Sequence, residues 1–210
     1  MRVDDYKNAG RIAAEELAAK DPAQVADDSG ATLLSAPPGF QLDYFGRPAV
    51  VTAPEMTVTW RDPQPGEEFS LTDAVLVLHY LNGAKGDIPT GDMVAYRQIP
   101  GGEFYFKAFH SRAEGPLAQV FGRSPGLLTR AIQAMGGEVT PGYGDEGGRF
   151  RVLPNIDIIV QLHLADEEFE SEGKVLFDRV IGSYFSNEDI SWLGSALVYR
   201  LMGVARTLPN

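Results

Sequence analysis

The chain contains 210 residues and no cysteine, which excludes disulfides, thiol catalysis, cysteine-ligated zinc and protein-bound iron–sulfur clusters within it. The formal net charge of −11 argues against nucleic acid or an anionic membrane as a partner, because the chain would repel phosphate groups. No apolar run approaches the roughly 18 residues of a membrane span, and MRVDDYKNAG lacks the apolar core of a secretory signal, so we expect a cytoplasmic protein.

The first part of the chain predicts a helix, a small sheet and a buried helix. Helical spacing of apolar residues predicts an N-terminal helix over residues 3–20, with one face formed by Val3, Tyr6, Ala9, Ala13 and Leu17. DPAQVADDSG then breaks the pattern, with a short helical turn as the alternative. FQLDY, PAVV and MTVTW predict an antiparallel meander over residues 39–61. Ser70 and Asp73 form a capping box for the next helix. That helix contains AVLVLHYLNG, residues 74–83, whose apolar residues on all sides predict burial in the core.

The segment over residues 70–136 is predicted to be mainly helical. Glycine-rich loops flank MVAYRQI, which favours one short strand, and FYFKAFHSR shows no clear preference. Pro116 is placed to begin a short helix in PLAQVF. In SPGLLTRAIQAMG, the N-cap, first-turn and C′ positions of a further helix are occupied by Ser124, Pro125 and Gly136. This last pattern is the strongest local helix signal in the chain.

The C-terminal part predicts a hairpin over residues 149–180 and a helix over residues 187–203. Strict alternation in IDIIVQLHL predicts a strand, and KVLFDRV pairs back after the acidic turn ADEEFESEG. Ser186 and Asp189 form a capping box for the helix. Its predicted core stripe consists of Ile190, Leu193, Leu197 and Leu201. Because strands and helices are grouped, the sequence predicts an α+β fold, with antiparallel sheets and packed helices in a single domain of residues 1–210.

Several short motif matches lack the context that their chemistry needs. GRSPG, residues 122–126, matches the nucleophile elbow, but Pro125 has no N–H for an oxyanion hole, so we interpret Ser124 as a helix cap. GYGDEG, residues 142–147, matches a dinucleotide motif, but no strand leads into it, and we interpret it as a mobile surface loop. The acids of ADEEFESEG lack calcium-loop spacing. We interpret them as a solvated hairpin tip and predict no metal site.

The three histidines are the first candidates for chemistry. His79 lies in the apolar helix, where desolvation favours a neutral imidazole that can coordinate a metal or accept a proton. A core histidine bonded to the backbone is the alternative. His110 lies in FYFKAFHSR, whose aromatic residues could line a pocket for a flat ring or pack in the core. His163 is predicted to be a surface or rim residue, and no spacing supports a three-histidine metal site.

Four motifs in chain order resemble the family of domain of unknown function 3786. They are VLVLHYLNGAKG, GDMVAYRQIPGGEFY, ADEEFESEGKVLFD and SNEDISWLGSALVYRL, and the resemblance runs from about residue 40 to residue 201. The family occurs mainly in anaerobic bacteria and archaea and has no established activity to carry over. Some relatives look like fusions to an iron–sulfur module of the kind seen in corrinoid iron–sulfur proteins. This chain lacks cysteine, so a partner would have to supply such a cluster.

The resemblance implies a setting in anaerobic cofactor or one-carbon metabolism. We therefore expect a binding protein for a flat, carboxylate-bearing cofactor, with a corrinoid or other haem-like tetrapyrrole as the specific candidate. Arg97 would clamp a carboxylate, or form a structural ion pair instead. His163 stands where we expect an aromatic residue in relatives, which weakens it as a shared ligand. The residues expected to contact the cofactor are His79, Tyr80, Arg97, Tyr105, Phe109 and His110.

Two other functions stay open at the level of sequence. The first is a small-molecule enzyme in which His79 or His110 is a general base, oriented by a carboxylate such as Asp178 or Asp92. That hypothesis requires a carboxylate within hydrogen-bond reach of an imidazole in a pocket. The second is an accessory module without a ligand of its own, which docks an iron–sulfur redox partner through its acidic surface or a flat apolar patch.

Overall fold

The computed structural model describes residues 3–208, and these residues form an α+β fold with two antiparallel sheets, which confirms the predicted fold class. The chain divides into two compact units. The first unit comprises the chain up to Ile88 together with Val152–Asn155 and Ser183–Phe185, and the second comprises the other residues. The single domain predicted over residues 1–210 stays a prediction, and its terminal residues 1–2 and 209–210 lie outside the described range.

The first unit contains helices and a four-stranded meander. Its helices are α1 (Val3–Ala18), α2 (Pro22–Ser29) and α3 (Leu71–Gly83). The strands pair in chain order and are β1 (Thr32–Ser35), β2 (Pro38–Tyr44), β3 (Arg47–Thr52) and β4 (Thr57–Trp60). Helix α1 lies where residues 3–20 were predicted to be helical, although the Val3 side chain lies outside the described side chains. Strand β1 was not predicted.

Helix α2 occupies the segment for which a break or a short helical turn was expected. The Asp21 carboxylate accepts from the Ala23 N–H at 3.2 Å and caps the helix, and Pro22 occupies its first turn. Gly30 ends the helix in the left-handed conformation, with φ of 70°. An acidic N-cap, a first-turn proline and a terminal glycine are the usual boundary signals of a helix. The sequence therefore contains these signals, and the segment forms a helix of 8 residues where a break or a short helical turn was expected.

The core of the first unit lies around α3, which packs against α1. The fully buried Tyr80 ring stacks on Tyr184, with 5.1 Å between the ring centroids. Its hydroxyl donates to the Ser29 carbonyl at 2.6 Å and accepts from the Asn155 N–H at 3.1 Å. A buried tyrosine hydroxyl needs such partners. Tyr80 therefore joins three separate segments of the first unit.

The second unit is built on a five-stranded antiparallel sheet. Its order is β5-β9-β8-β7-β6, and its strands are β5 (Met93–Ala95), β6 (Glu138–Val139), β7 (Glu146–Leu153), β8 (Ile156–His163) and β9 (Glu172–Asp178). Its helices are α4 (Gly102–Arg112), α5 (Glu114–Phe121), α6 (Leu127–Ala134), α7 (Ile181–Tyr184) and α8 (Asn187–Ala205). The ends of β7 and α7 run into residues counted with the first unit.

The hairpin of β8 and β9 and the helix α8 follow the predicted pattern. The two strands pair antiparallel, with Ile158 opposite Phe177. Ser186 and Asp189 bond reciprocally at the start of α8, and the four leucine and isoleucine residues of its predicted stripe are fully buried. FYFKAFHSR, which showed no preference, lies in α4. The amphipathic patterns of β8, β9 and α8 each bury one apolar face in the core of the second unit.

Helix α6 begins later than predicted. Its N-cap is Gly126, in the left-handed conformation, and Ser124 does not cap it. The cap comes from the distant Glu146 carboxylate, which accepts from the N–H groups of Gly126 and Thr129, each at 2.7 Å. The prediction of Ser124 as N-cap was therefore wrong, because a buried side chain from β7 supplies the acceptor that a local serine was expected to supply.

Candidate ligand-binding site

The second unit contains a pocket of about 480 Å³, which we call the Arg97 pocket. Its lining comes from the end of β5 and the turn after it, from α4, from the start of α5 and from β9. The lining residues are Ala95, Arg97, Phe106, His110, Glu114, Glu172, Gly173 and Lys174. The volume lies within the range of small-molecule sites, and five of the eight lining residues carry ionisable side chains.

A stacked guanidinium forms one wall of the pocket. Arg97 lies in the 3₁₀ turn after β5, and its guanidinium carbon is 3.6 Å from the centroid of the Phe106 ring. This contact is a close cation–π interaction, which favours a fixed position for an otherwise flexible side chain. Among the described residues, no carboxylate pairs with Arg97, although the chain is strongly acidic. The planar donor fork is therefore positioned and has no anionic partner within residues 3–208.

A second feature of the pocket is an imidazole whose position is fixed by a buried carboxylate. His110 Nδ1 lies 3.0 Å from Glu114 Oε2, and the exposed fractions of the two side chains are 55% and 7%. The other oxygen of Glu114 accepts from the Val175 N–H at 3.5 Å, which links it to β9. Because the carboxylate accepts at Nδ1, a neutral ring carries its proton there and presents a lone pair at Nε2. Within the described chain, Nε2 of His110 has no partner.

Phe106 and His110 lie on the same side of α4, one turn apart, and their ring centroids are 5.6 Å apart. Residues four positions apart in a helix are neighbours on its surface. The stacked guanidinium and the oriented imidazole are therefore held side by side by one rigid element. Lys174, which lies 3.3 Å from Glu172, adds an amine at the β9 side of the pocket.

Two buried aromatic residues, Tyr96 and Phe109, are sequence neighbours of the lining residues Arg97 and His110. Tyr96 and Phe109 are fully buried and stack with 4.4 Å between their ring centroids. The Tyr96 hydroxyl donates to the Asn187 carbonyl at 2.8 Å. Burial raises the pKa of Tyr96 to about 12, with smaller contributions from the neighbouring Tyr105 and Glu188, so the phenol is neutral at physiological pH. Tyr96 and Phe109 therefore support the site and are not part of its lining.

The structure brings together only some of the residues predicted to contact a cofactor. Arg97 and His110 line the Arg97 pocket, whereas Phe109 is fully buried, stacks on Tyr96 and does not line it. Tyr105 is 55% exposed and is not among the lining residues. His79, half-buried on α3, and the bonded Tyr80 both belong to the first unit and likewise do not line it.

Glu114, the carboxylate that contacts the His110 imidazole, was not predicted from the sequence. Glu114 follows His110 by four residues, which was a visible signal, but the segment between them was not identified as helical. Asp178, proposed instead, accepts from Thr90 Oγ1, the Gly91 N–H and the Val180 N–H, and thus closes a loop. Asp92 pairs with Arg179. Neither aspartate orients His110. Phe106 and Lys174 were also missed.

Metal chemistry receives no support from the acidic hairpin tip. Within residues 3–208, no group of three or more histidine, aspartate or glutamate side chains could hold a metal ion. The Asp166 carboxylate instead accepts from the N–H groups of Phe169 and Glu168, and these bonds lower the pKa of Asp166. His163 is exposed, and its Nε2 lies 2.9 Å from the Gln161 amide nitrogen. Across the described range, no helix is both long and apolar enough to cross a membrane.

Comparison with known proteins adds information at the level of the family. No curated protein and no solved structure matches the chain. The model of the family described as domain of unknown function DUF3786 matches residues 21–200, a range that includes every lining residue of the Arg97 pocket. Because this match covers most of the 210 residues, the chain belongs to the DUF3786 family.

Proposed function

We propose that this protein binds a flat, carboxylate-bearing small molecule in the Arg97 pocket, with a corrinoid or other tetrapyrrole as the specific candidate. The observation that carries the proposal is the Arg97 guanidinium, stacked at 3.6 Å on Phe106 and without a carboxylate partner among the described residues. A guanidinium binds a carboxylate through two parallel N–H donors, and a fixed position lowers the entropic cost of doing so. The half-buried Phe106 and the exposed His110, with ring centroids 5.6 Å apart, supply the aromatic surface for a flat ring.

The oriented imidazole fits the tetrapyrrole candidate in particular. A histidine that coordinates a metal commonly donates its other ring proton to a carboxylate, and Glu114 accepts at His110 Nδ1 in this way. His110 Nε2 would bind the metal, Arg97 would bind a carboxylate of the cofactor, and Lys174 would add a second cationic contact. A bound tetrapyrrole would supply its metal-centred chemistry. The pocket volume of about 480 Å³ would hold part of a macrocycle, and the remainder would lie outside it.

Titration with three probes tests the proposal. Haemin and hydroxocobalamin report axial histidine ligation through their visible spectra, and pyrene-1-carboxylate reports binding of a flat carboxylate without a metal through its fluorescence. Arg97→Lys keeps the charge but removes the planar fork, so we expect about tenfold weaker binding of each probe, which corresponds to about 1.4 kcal/mol. His110→Ala should weaken only the metal-containing probes.

The control variant is Arg123→Lys, which changes an exposed arginine paired with Glu170 elsewhere in the second unit. It should bind every probe as the wild type does. If only pyrene-1-carboxylate bound, the proposal of a flat carboxylate ligand would stand and the tetrapyrrole candidate would be rejected. Absence of binding of all three probes at about 100 µM would contradict the proposal as a whole.

A second candidate function is a small-molecule enzyme in which His110 is the general base. The observation that favours it is the same His110–Glu114 contact at 3.0 Å, because a base held by a carboxylate is a recurrent catalytic arrangement. The test uses whatever small molecule copurifies with the protein. Incubated with it in deuterated water, an enzyme of this kind incorporates deuterium at a carbon position, and His110→Ala does not. The docking module for an iron–sulfur partner stays a prediction.

A further inference from the structure

We propose that the first unit binds an uncharged apolar small molecule in a pocket at the β1 end of its four-stranded sheet. This pocket, which we call the Met56 pocket, has a volume of about 360 Å³. Its walls come from α2, β1, β2 and the turn between β3 and β4, and they include Leu33, Leu34, Ser35, Phe40 and Met56. It shares no lining residue with the Arg97 pocket, so the proposal is independent of the function proposed above.

The burial of one row of residues across the sheet places the pocket where the apolar core ends. The row consists of residues paired directly in the register of the four strands: Leu33, Phe40, Val51 and Val58. Directly paired residues lie on the same face of a sheet. Phe40, Val51 and Val58 are at most 8% exposed, whereas Leu33 is 47% exposed. The apolar row is therefore covered at the outer strand β4 and open at the outer strand β1, where an apolar molecule would complete the cover.

The walls of the Met56 pocket determine the chemical class of the ligand. Among the described residues that line it, none is ionisable, and Ser35 alone has a polar side chain. A carboxylate or ammonium group placed there would lose its hydration without gaining a charged partner. The net charge of −11 further disfavours an anion. The ligand is therefore a hydrocarbon, or an alcohol or ketone whose one polar group the Ser35 hydroxyl can bond.

The volume of the pocket and the backbone of Met56 support this assignment. An apolar protein cavity of about 150 Å³ holds one benzene ring, so a pocket of about 360 Å³ holds a molecule of about 10–16 carbon atoms. Met56 has φ of 53°, a left-handed conformation that is strained for a residue with a Cβ. Its side chain is nevertheless buried in the pocket wall, where an unbranched thioether adapts its shape to a ligand. Strained backbone of this kind is concentrated at ligand sites.

Fluorescence titration with N-phenyl-1-naphthylamine, an uncharged probe that brightens in apolar surroundings, tests the proposal. We expect the probe to bind, and we expect 1-decanol to displace it at least about tenfold better than decanoate, which differs in its charged end. Leu33→Glu adds a carboxylate to the pocket wall and should weaken binding of the probe at least about tenfold. The matched control is Val139→Glu, at an exposed position on β6 in the second unit, because it changes the net charge identically. Circular dichroism checks that both variants fold.

Methionine methyl resonances locate the ligand in the wild-type protein. The chain has five methionines, and Met56 is the one among the lining residues. With ¹³C-methyl methionine, 1-decanol should shift the Met56 resonance, which Met56→Leu identifies by its loss, and leave the other four in place. Absence of probe binding at about 100 µM protein, or a shift at another methionine only, would overturn the proposal. Equal displacement by decanoate and 1-decanol would also overturn it, because the pocket would then accept a charged group.

Discussion

Replacement of Glu146 by glutamine tests the long-range helix cap that the structure shows. The Glu146 side chain is buried, and its Oε1 accepts from the Gly126 N–H at 2.7 Å. Its Oε2 accepts from both the N–H and the hydroxyl of Thr129, at 2.7 and 2.8 Å. The two N–H groups belong to the first turn of α6, where no intrahelical acceptor exists. One carboxylate therefore satisfies three donors.

The magnitude follows from the donor count. Glutamine keeps one acceptor oxygen, but its NH₂ group faces either the Gly126 N–H or the two Thr129 donors. At least one buried donor therefore loses its acceptor. A buried unpaired donor costs about 1–3 kcal/mol, and loss of the negative charge at a helix N-terminus costs about 0.3–1 kcal/mol more. We therefore expect Glu146→Gln to lower the free energy of unfolding by about 2–3 kcal/mol, and Tm by about 5–10 °C for a chain of this size.

Urea unfolding followed by circular dichroism measures this change. The control is Ser124→Ala, which removes the side chain that the sequence pattern assigned as the cap and that makes no bond to the start of α6. It should change stability by less than about 0.5 kcal/mol. The opposite ranking, with Ser124→Ala costing about 1 kcal/mol and Glu146→Gln costing less, would refute the reasoning.

Two further predictions concern pH and packing. Burial raises the pKa of Tyr96 to about 12, while an unfolded tyrosine ionises near pH 10. The contribution of the neutral phenol to the free energy of unfolding is therefore complete below about pH 10, and it is lost as the pH rises towards 12. Thermal melts over this range should show a shallower decline for Tyr96→Phe than for the wild type. Gly83→Ala would place a Cβ 2.1 Å from the Tyr184 carbonyl oxygen, and we expect a loss of at least about 3 kcal/mol in chemical unfolding. Gly203→Ala meets nothing within 4 Å and, in helix α8, should instead stabilise the protein by up to about 1 kcal/mol.

The elements that were predicted from sequence are those whose signals are local and repeated. Helix α8 combines a capping box at Ser186 with a stripe of buried residues at helical spacing, and both features reinforce the same interpretation. The hairpin of β8 and β9 likewise shows strict alternation on either side of an acidic turn. In such segments, burial of one apolar face decides the structure, and the period of that face is visible in the sequence.

The elements that were missed depend on contacts between distant residues. Strand β1 spans only Thr32–Ser35 and is stabilised by pairing with β2, which no local pattern records. The start of α6 is set by Glu146, 20 residues from Gly126 along the chain. Helix α4 has polar and aromatic residues without a clear apolar stripe, so its helical state follows from packing of Phe109 against Tyr96 and Phe177. Tertiary contacts of this kind override local propensity.

In the candidate site too, some residues could be predicted from the sequence and others could not. Arg97 and His110 were predicted because each is chemically distinctive alone, whereas Phe106 and Glu114 matter only through their partners. Once α4 is helical, Phe106 and His110 lie one turn apart on one side. The helix break at Ala113, between α4 and α5, leaves Glu114 within hydrogen-bond distance of the imidazole. In the proposed complex, a ligand bound by Arg97 would lie beside the Phe106–His110 side of α4. The site is defined by that shared helix side, which is why Arg97→Lys and His110→Ala should affect the same ligand through different atoms.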